Sequence, residues 1–179
     1  MADPPWPERG GGKIKRGADR HYPLMSVNDI RDLPVRWVAD DNAHLYLWAT
    51  NNFLADAMEV MKAWGFRYVT NIAWAKIKDG KEQFGLGQYF RGGHELCLFG
   101  VRGKLKAIKP SKTLLVAPRT KHSRKPDEIF LRAEQVTPGP RLEMFCREPR
   151  PGWDSLGNAI DGQDISDALI GAIQSKLDI

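Results

Sequence analysis

The chain has 179 residues, enough for one domain with a real core and too few to argue for two. Hydrophobic residues make up 42% of it, and no apolar run approaches the length of a membrane span, which excludes a helical membrane protein. The net charge of +5 is unevenly spread: no acid stands between Arg102 and Lys125, a one-signed stretch that suits a phosphate backbone as well as a solvated basic face.

The chain opens Met1-Ala2-Asp3-Pro4-Pro5-Trp6. Two consecutive prolines fix two φ angles and remove two amide donors, so Pro4 and Pro5 continue neither a sheet ladder nor a helix. The result is a stiff corner with a carboxylate on one side and a large flat ring on the other. A basic loop over 9–20 follows at once, with Lys13, Lys15 and Arg16 next to three glycines. Corner and loop together suggest a pocket for something flat and anionic. Taken locally, the composition favours a disordered linker.

Ser26-Val27-Asn28-Asp29 reads as a capped helix start, with Asp29 a weaker partner than Glu in the capping box, and Pro34 keeps that helix short. His44 to Trp48 is a compact apolar strand. Leu54, Ala57, Met58, Met61 and Trp64 fall at helical spacing, and Gly65 stands where a helix ends in a left-handed residue. Strands are predicted over Tyr68 to Ile77, Glu95 to Val101 and Thr113 to Val116. The irregular piece from Gly85 to Gly93 lacks the Lys and Ser or Thr of a phosphate loop. Pro126-Asp127-Glu128 opens a helix reaching about Gln135, since proline is tolerated in a first turn and acids complement the positive end of the dipole. A turn at Pro138-Gly139-Pro140 leads to a strand from Arg141 to Cys146, and a C-terminal helix is expected over about 164–177.

Strands alternating with helices imply an α/β layer structure with a largely parallel sheet, and such sheets bind ligands at the carboxyl ends of their strands. That rule makes the Asp3 corner, the segment after Trp74 and the segment after Cys146 neighbours around one crevice. Cys97 and Cys146 stand among apolar residues and read as small buried side chains rather than a disulfide. With no Cys-x-x-Cys pair and four scattered histidines, no metal site is expected. The first residues carry an acid and two prolines without an apolar stretch, so the expected compartment is the cytoplasm.

Several motifs occur in a fixed order: Asp3-Pro4-Pro5-Trp6, Tyr22-Pro23-x-Met25-Ser26, Leu45-Tyr46-Leu47-Trp48 and Gly92-Gly93-His94-Glu95-x-Cys97-Leu98. They are followed by Lys125-Pro126-Asp127-Glu128-Ile129, Leu142-Glu143-Met144-Phe145-Cys146-Arg147 and Leu156-Gly157-Asn158. This ordered set resembles the DPPW-type adenine-N6 methyltransferases of the MT-A70 family, from Ala2 to about Gly162. The resemblance implies a Rossmann-like methyltransferase fold over a single domain, 1–179, with a largely parallel sheet flanked by helices. The motif order is permuted: the catalytic corner comes first and the cofactor strand near the C-terminus. It also implies transfer of a methyl group from S-adenosylmethionine to the exocyclic N6 amine of adenine in DNA or RNA, without membrane or metal. The family often works in pairs, as a homodimer or with a related subunit.

Residue by residue, the resemblance makes Asp3, Pro4, Pro5 and Trp6 the catalytic corner. Asp3 and the Pro4 carbonyl would accept hydrogen bonds from the amine, with no amide donors nearby to compete, and Trp6 and Tyr22 would stack on or enclose a base drawn out of its strand. Trp74 and Ser123 match positions near the target adenosine or the cofactor, and Lys13, Lys15 and Arg16 would meet the nucleic acid. Lys125, Glu143, Phe145, Arg147 and Asn158 match cofactor positions. Trp74 reads equally well as core; Lys125 taken alone reads as part of a helix start, and the ordered match favours a site role for it.

Three departures bear on activity. In the family the corner follows a complete apolar strand, whereas only Met1 and Ala2 stand before Asp3 here. The expectation is either a start further upstream or a sheet with two exposed strand edges. Cys146 stands where a small glycine is common, adding bulk where the cofactor would approach, and Ala159 replaces an amide that some members carry. The competing readings are a family member that binds nucleic acid or a partner without catalysis, an N-terminally truncated enzyme, and a methyltransferase acting on the cytosine amine.

Overall fold

The computed structural model describes residues 1–7, 24–87, 89–119, 124–157, 160 and 162–177. Helix α1 (Val27–Asp32) is closed by the full capping box: the Asp29 amide donates to Ser26 Oγ at 3.1 Å and the Ser26 amide donates to the Asp29 carboxylate at 3.3 Å. Asp therefore completes the motif where Glu is usual. A four-residue helix, α2 (Val35–Val38), follows Pro34. Strand β1 (Ala43–Ala49) is buried from Leu45 onward, as a central strand must be. Helix α3 (Leu54–Ala63) buries Ala57, Val60 and Met61 and ends before Gly65, whose φ of +85° is the left-handed conformation expected there.

Strand β2 (Arg67–Lys78) leads through the two-residue β3 (Lys81–Glu82) to β4 (His94–Arg102), and β5 (Leu114–Pro118) precedes helix α4 (Asp127–Val136). The chain finishes with β6 (Leu142–Met144), β7 (Asp154–Leu156) and helix α5 (Ile165–Leu177). β6 stops short of Cys146 because Phe145 turns into the left-handed region at φ 62°.

Strand β4 lies between β1 and β2 and is antiparallel to both, with Tyr46 opposite Phe99 and Asn71 opposite Leu98. β1 and β2 therefore run the same way. β5 is parallel to β2, and β7 is parallel to β6. Ala2 bridges Leu47 on one side and Met144 on the other, both in parallel sense. The result is a largely parallel α/β sheet, flanked by helices, in which β4 and the short β3 run against the rest.

Residues 1–3 fill the gap between β1 and β6. The Ala2 amide donates to Tyr46 O at 2.8 Å, its carbonyl accepts from the Trp48 amide at 2.9 Å, and Met1 O accepts from the Met144 amide at 2.9 Å. Ala2 is fully buried. The two strand edges expected to lie open are thus closed around this tripeptide.

Strand alternation divides the core into two layers. Leu45, Leu47 and Ala49 face a cluster with Ile30, Phe53, Val60, Met61, Trp64 and Leu169, drawn from α1, α3 with its two flanking residues, and α5. Tyr46 and Trp48 face the opposite cluster with Trp74, Leu115, Ile129, Phe130, Ala133 and Trp153. Gly100 on β4 lets α3 approach the sheet, because a Cβ there would stand 2.8 Å from Met61 Sδ and 3.2 Å from Phe66 Cβ.

Candidate active site

Asp3 leaves the sheet at the carboxyl end of the central segment, where the prolines stop further pairing. Its carboxylate accepts a hydrogen bond from Lys125 Nζ at 2.7 Å. Lys125 stands just ahead of α4, fixed by Pro126, and its side chain is only 11% exposed. The ammonium lies 5.1 Å from the Trp48 ring centroid and 3.4 Å from Glu95 Oε2. Glu95, the second residue of β4, accepts from Lys76 Nζ of β2 at 2.5 Å through its other oxygen. Four charges of alternating sign, Lys76, Glu95, Lys125 and Asp3, therefore run from β2 to the corner.

Their titration follows from burial and neighbours. Burial pushes the Asp3 carboxyl up, Lys125 pulls it back, Glu95 adds repulsion, and the net position is above the usual carboxylate range. Burial works against the Lys125 ammonium, but Asp3 and Glu95 outweigh it and hold the group above the ordinary lysine value. Burial also raises Glu95, yet Lys125 and Lys76 together bring it below its ordinary value.

Beside Asp3 opens a cleft of about 430 Å³. Asp3, Trp48 and Lys125 line one part of it, and Glu143, Phe145 and Arg147 line another. Phe145 holds a positive φ at the cleft, a conformation that costs a bulky residue about 1–3 kcal/mol and so needs firm surroundings. Gly157 provides one such support: a Cβ there would come within 2.5 Å of Cys146 O. Burial raises the Glu143 carboxyl above its ordinary value, with Arg150 acting against the shift. Among the described residues Glu143 Oε2 is buried without a hydrogen-bond partner, and Arg150 Nε stands 3.8 Å from it. Arg150 is held by Asp127 at 3.1 Å and lies 3.6 Å over the Phe130 ring.

The cleft thus gathers Asp3, Lys125, Glu143, Phe145 and Arg147 from the positions singled out in the sequence. Other positions lie elsewhere. Trp6 is a core residue: its Nε1 donates to Trp48 O at 2.9 Å and its ring stacks on Phe53 at 5.8 Å, so it braces the corner from within the core. Trp74 is also core, 3% exposed, donating to Ala117 O at 2.9 Å. The Pro4 carbonyl is not free of competitors, since the Trp6 amide donates to it at 2.9 Å; one lone pair remains for a second donor. The Pro5 carbonyl accepts from the Met25 amide at 3.0 Å. Cys146 adds no bulk to the cleft, because its thiol is buried and donates to Glu148 O at 2.9 Å. Lys13, Lys15, Arg16, Tyr22, Ser123, Asn158 and Ala159 lie outside the described residues.

Three members of the site were given no site role from the sequence: Trp48 and Glu95, which stand inside the ordered motifs, and Lys76, which does not. Glu95 carried a signal, being an acid embedded in an otherwise apolar strand. Among the described residues no three His, Cys, Asp or Glu gather as they would around a metal ion, and no helix is long and apolar enough to cross a membrane.

A carboxylate and lysine at the carboxyl edge of a largely parallel sheet, opening on a cleft between strand ends, define a Rossmann-like α/β domain with its ligand site at the strand termini. The sequence pattern of the MT-A70 family matches residues 1–159, and the chain belongs to that family. The human N(6)-adenosine-methyltransferase catalytic subunit METTL3 is 31% identical over 183 residues, covering 93% of this chain and 29% of that protein. An MT-A70-like N(6)-adenosine-methyltransferase of Drosophila melanogaster is 32% identical over 178 residues, 90% of this chain and 26% of the relative. The type II methyltransferase M.MunI of a Mycoplasma species is 26% identical over 199 residues, 98% of this chain and 82% of the enzyme. This chain therefore spans under a third of the animal relatives and most of the bacterial one.

Proposed function

We propose that this chain is an S-adenosylmethionine-dependent methyltransferase acting on the exocyclic N6 amine of adenine in nucleic acid. The observation that carries the reading is the pairing of Asp3 with Lys125 at the mouth of a cleft lined by Glu143, Phe145 and Arg147.

The residues of the cleft fit the methyl donor. The unpartnered Oε2 of Glu143 is an acceptor suited to ribose hydroxyls, Phe145 offers an apolar ring, and Arg147 is a cation suited to a carboxylate. The volume falls in the range of small-molecule sites. When bound, S-adenosylmethionine supplies an electrophilic methyl group on a sulfonium sulfur. The chain's own part is placement. An adenine amine is a poor nucleophile because its lone pair is drawn into the ring. Asp3 accepts a hydrogen bond from one amine N–H, and the remaining lone pair of the Pro4 carbonyl accepts from the other. Both contacts turn the nitrogen lone pair toward the incoming carbon, and such orientation supplies much of the rate in a two-substrate reaction. Lys125 fixes the Asp3 carboxylate for this task. Trp6, from beneath, keeps the corner from shifting.

Nucleic acid as the substrate is supported by the acid-free stretch from Arg102 to Lys125, which leads to the same edge of the sheet. It is supported too by Tyr89 and Phe90, each 92% exposed in the connection between the carboxyl end of β2 and β4, where ring faces can stack on bases. The test is calorimetric titration with S-adenosylmethionine, followed by methyl transfer to adenine-containing DNA and RNA and identification of the product nucleoside. Binding with formation of N6-methyladenine is expected. Binding without transfer would favour a module that has kept only the cofactor site, and methylcytosine as product would overturn the choice of base.

A further inference from the structure

Glu95 and Lys76 do not line the cleft, yet both are largely withdrawn from water, with side chains 25% and 18% exposed. Removing ions from water costs several kcal/mol each after relaxation, and an apolar pair would fill the same volume at less cost. The contacts suggest what the charges do. Lys125 is shared, 2.7 Å from Asp3 and 3.4 Å from Glu95, so the two carboxylates compete for one ammonium. Glu95 is itself shared, and its tighter contact is the one to Lys76. Lys76 is fixed in turn by its place on β2 and by the Trp74 ring, 5.1 Å away. Backbone register holds the pair together, since Trp74 stands opposite Glu95 and Ala75 opposite His94.

We infer that Glu95, restrained by Lys76, is a positioning residue: it draws Lys125 away from Asp3 and so sets how firmly the ammonium closes on the carboxylate that meets the substrate amine. The inference rests on the methyltransferase reading of the site. Were Lys125 captured by Asp3 alone, the carboxylate would be a poorer acceptor for an incoming amine. Were Glu95 unrestrained, it would take Lys125 for itself and leave Asp3 buried without its cation.

The groups acting on Asp3 come from several elements: Lys125 before α4, Glu95 and Cys97 on β4, and Arg147 following β6. Glu143 on β6 also feels its charge. Cys97 is a neutral thiol, pushed up by burial, and Arg147 and Glu143 are common to every variant below. A change in the Asp3 titration between those variants therefore reports the network. Replacing Glu95 by Gln removes a like charge and the competitor for Lys125, so Asp3 ionises more readily. Replacing Lys76 by Met frees Glu95 to compete harder, so Asp3 ionises less readily. The two substitutions push in opposite directions, by about one pH unit each.

The experiment is carbon-13 NMR titration of the Asp3 carboxyl, assigned by loss of its signal in Asp3→Asn, in the full chain and in Glu95→Gln, Glu95→Asp and Lys76→Met. The expected midpoints fall below the parent in Glu95→Gln, close to it in Glu95→Asp, and above it in Lys76→Met. The acid limb of kcat for methyl transfer follows the same order, while KM for the oligonucleotide stays within about twofold because neither residue touches substrate. Midpoints that do not move, or that move the same way in Glu95→Gln and Lys76→Met, overturn the inference. If Glu95→Gln fails to fold, the Lys76→Met midpoint with Glu95→Asp as control still decides. A parent chain without methyl transfer would sink the functional reading alone, since the carboxyl titration needs no turnover.

Discussion

Replacing Lys125 by methionine keeps an unbranched side chain, one atom shorter, and removes the cation on which the site turns. The ammonium stands 2.7 Å from Asp3 and 3.4 Å from Glu95, and their side chains are 30% and 25% exposed. Breaking a buried ion pair from one side costs about 3–5 kcal/mol, because the partner is left charged and poorly solvated. Two features bring this case to the lower end, about 3 kcal/mol: water reaches part of Asp3, and Glu95 keeps its contact with Lys76. For a domain of this size that lowers Tm by about 6–12 °C. The loss depends on pH, with a definite sign. Asp3 already titrates above the ordinary carboxylate range, and without Lys125 it rises further. Native Asp3 then holds its proton at pH values where the unfolded chain, titrating near 3.9, has released it, so stability falls as pH rises through that window. Urea unfolding of parent and variant at about pH 5 and about pH 8 should show the larger deficit at the higher pH. A loss below about 1 kcal/mol at the higher pH, or one as large at the lower pH, would refute the assignment of Lys125 as the cation of a buried carboxylate pair.

Asp3→Ala should lower methyl transfer by at least about a hundredfold, the scale for losing one preorganised polar partner of the reacting group. Affinity for S-adenosylmethionine in the same variant should change little by calorimetry, and near-normal turnover would remove Asp3 from the mechanism. Trp6→Phe keeps the ring on Phe53 but leaves Trp48 O without its donor, for an expected loss of about 1–3 kcal/mol in denaturant unfolding. Its KM for nucleic acid should be unchanged, whereas a large rise in KM would return Trp6 to the base-binding role. Gly100→Ala should destabilise by about 1–3 kcal/mol, because Met61 Sδ can swing from the new methyl but Phe66 Cβ cannot. A Tm equal to the parent's would show that α3 shifts freely over the sheet.

Local chemistry was the legible part of this fold. Ser26 and Asp29 announced a capped helix, Gly65 the end of α3, and the apolar run from His44 to Trp48 a strand, because each is decided by residues within one or two turns of chain. The ordered motifs brought Asp3, Lys125, Glu143, Phe145 and Arg147 to one cleft. What escaped depends on distant partners. Nothing in residues 94–102 states that β4 runs against its neighbours; the reversal follows from how the β2–β4 connection returns. Trp6 stands in a motif beside a basic loop, and nothing local announces its partners Trp48 and Phe53, more than forty positions away. β7 is three residues long, too short for a periodic pattern. Glu95 acquires its meaning only when β4 sets it between Lys76 and Lys125.

The tripeptide between β1 and β6 has a consequence for motion. Ala2 and Met1 accept from the amides of Trp48 and Met144, and Asp3 is the next residue along. Any excursion that lifts this segment therefore unzips two strands at once and carries the carboxylate away from Lys125. Local opening and loss of the reactive arrangement are one event with one equilibrium constant. A ligand that spans the cleft from Asp3 to Glu143 binds only the zipped form, so it must slow hydrogen exchange at the Trp48 and Met144 amides together, and by the same factor.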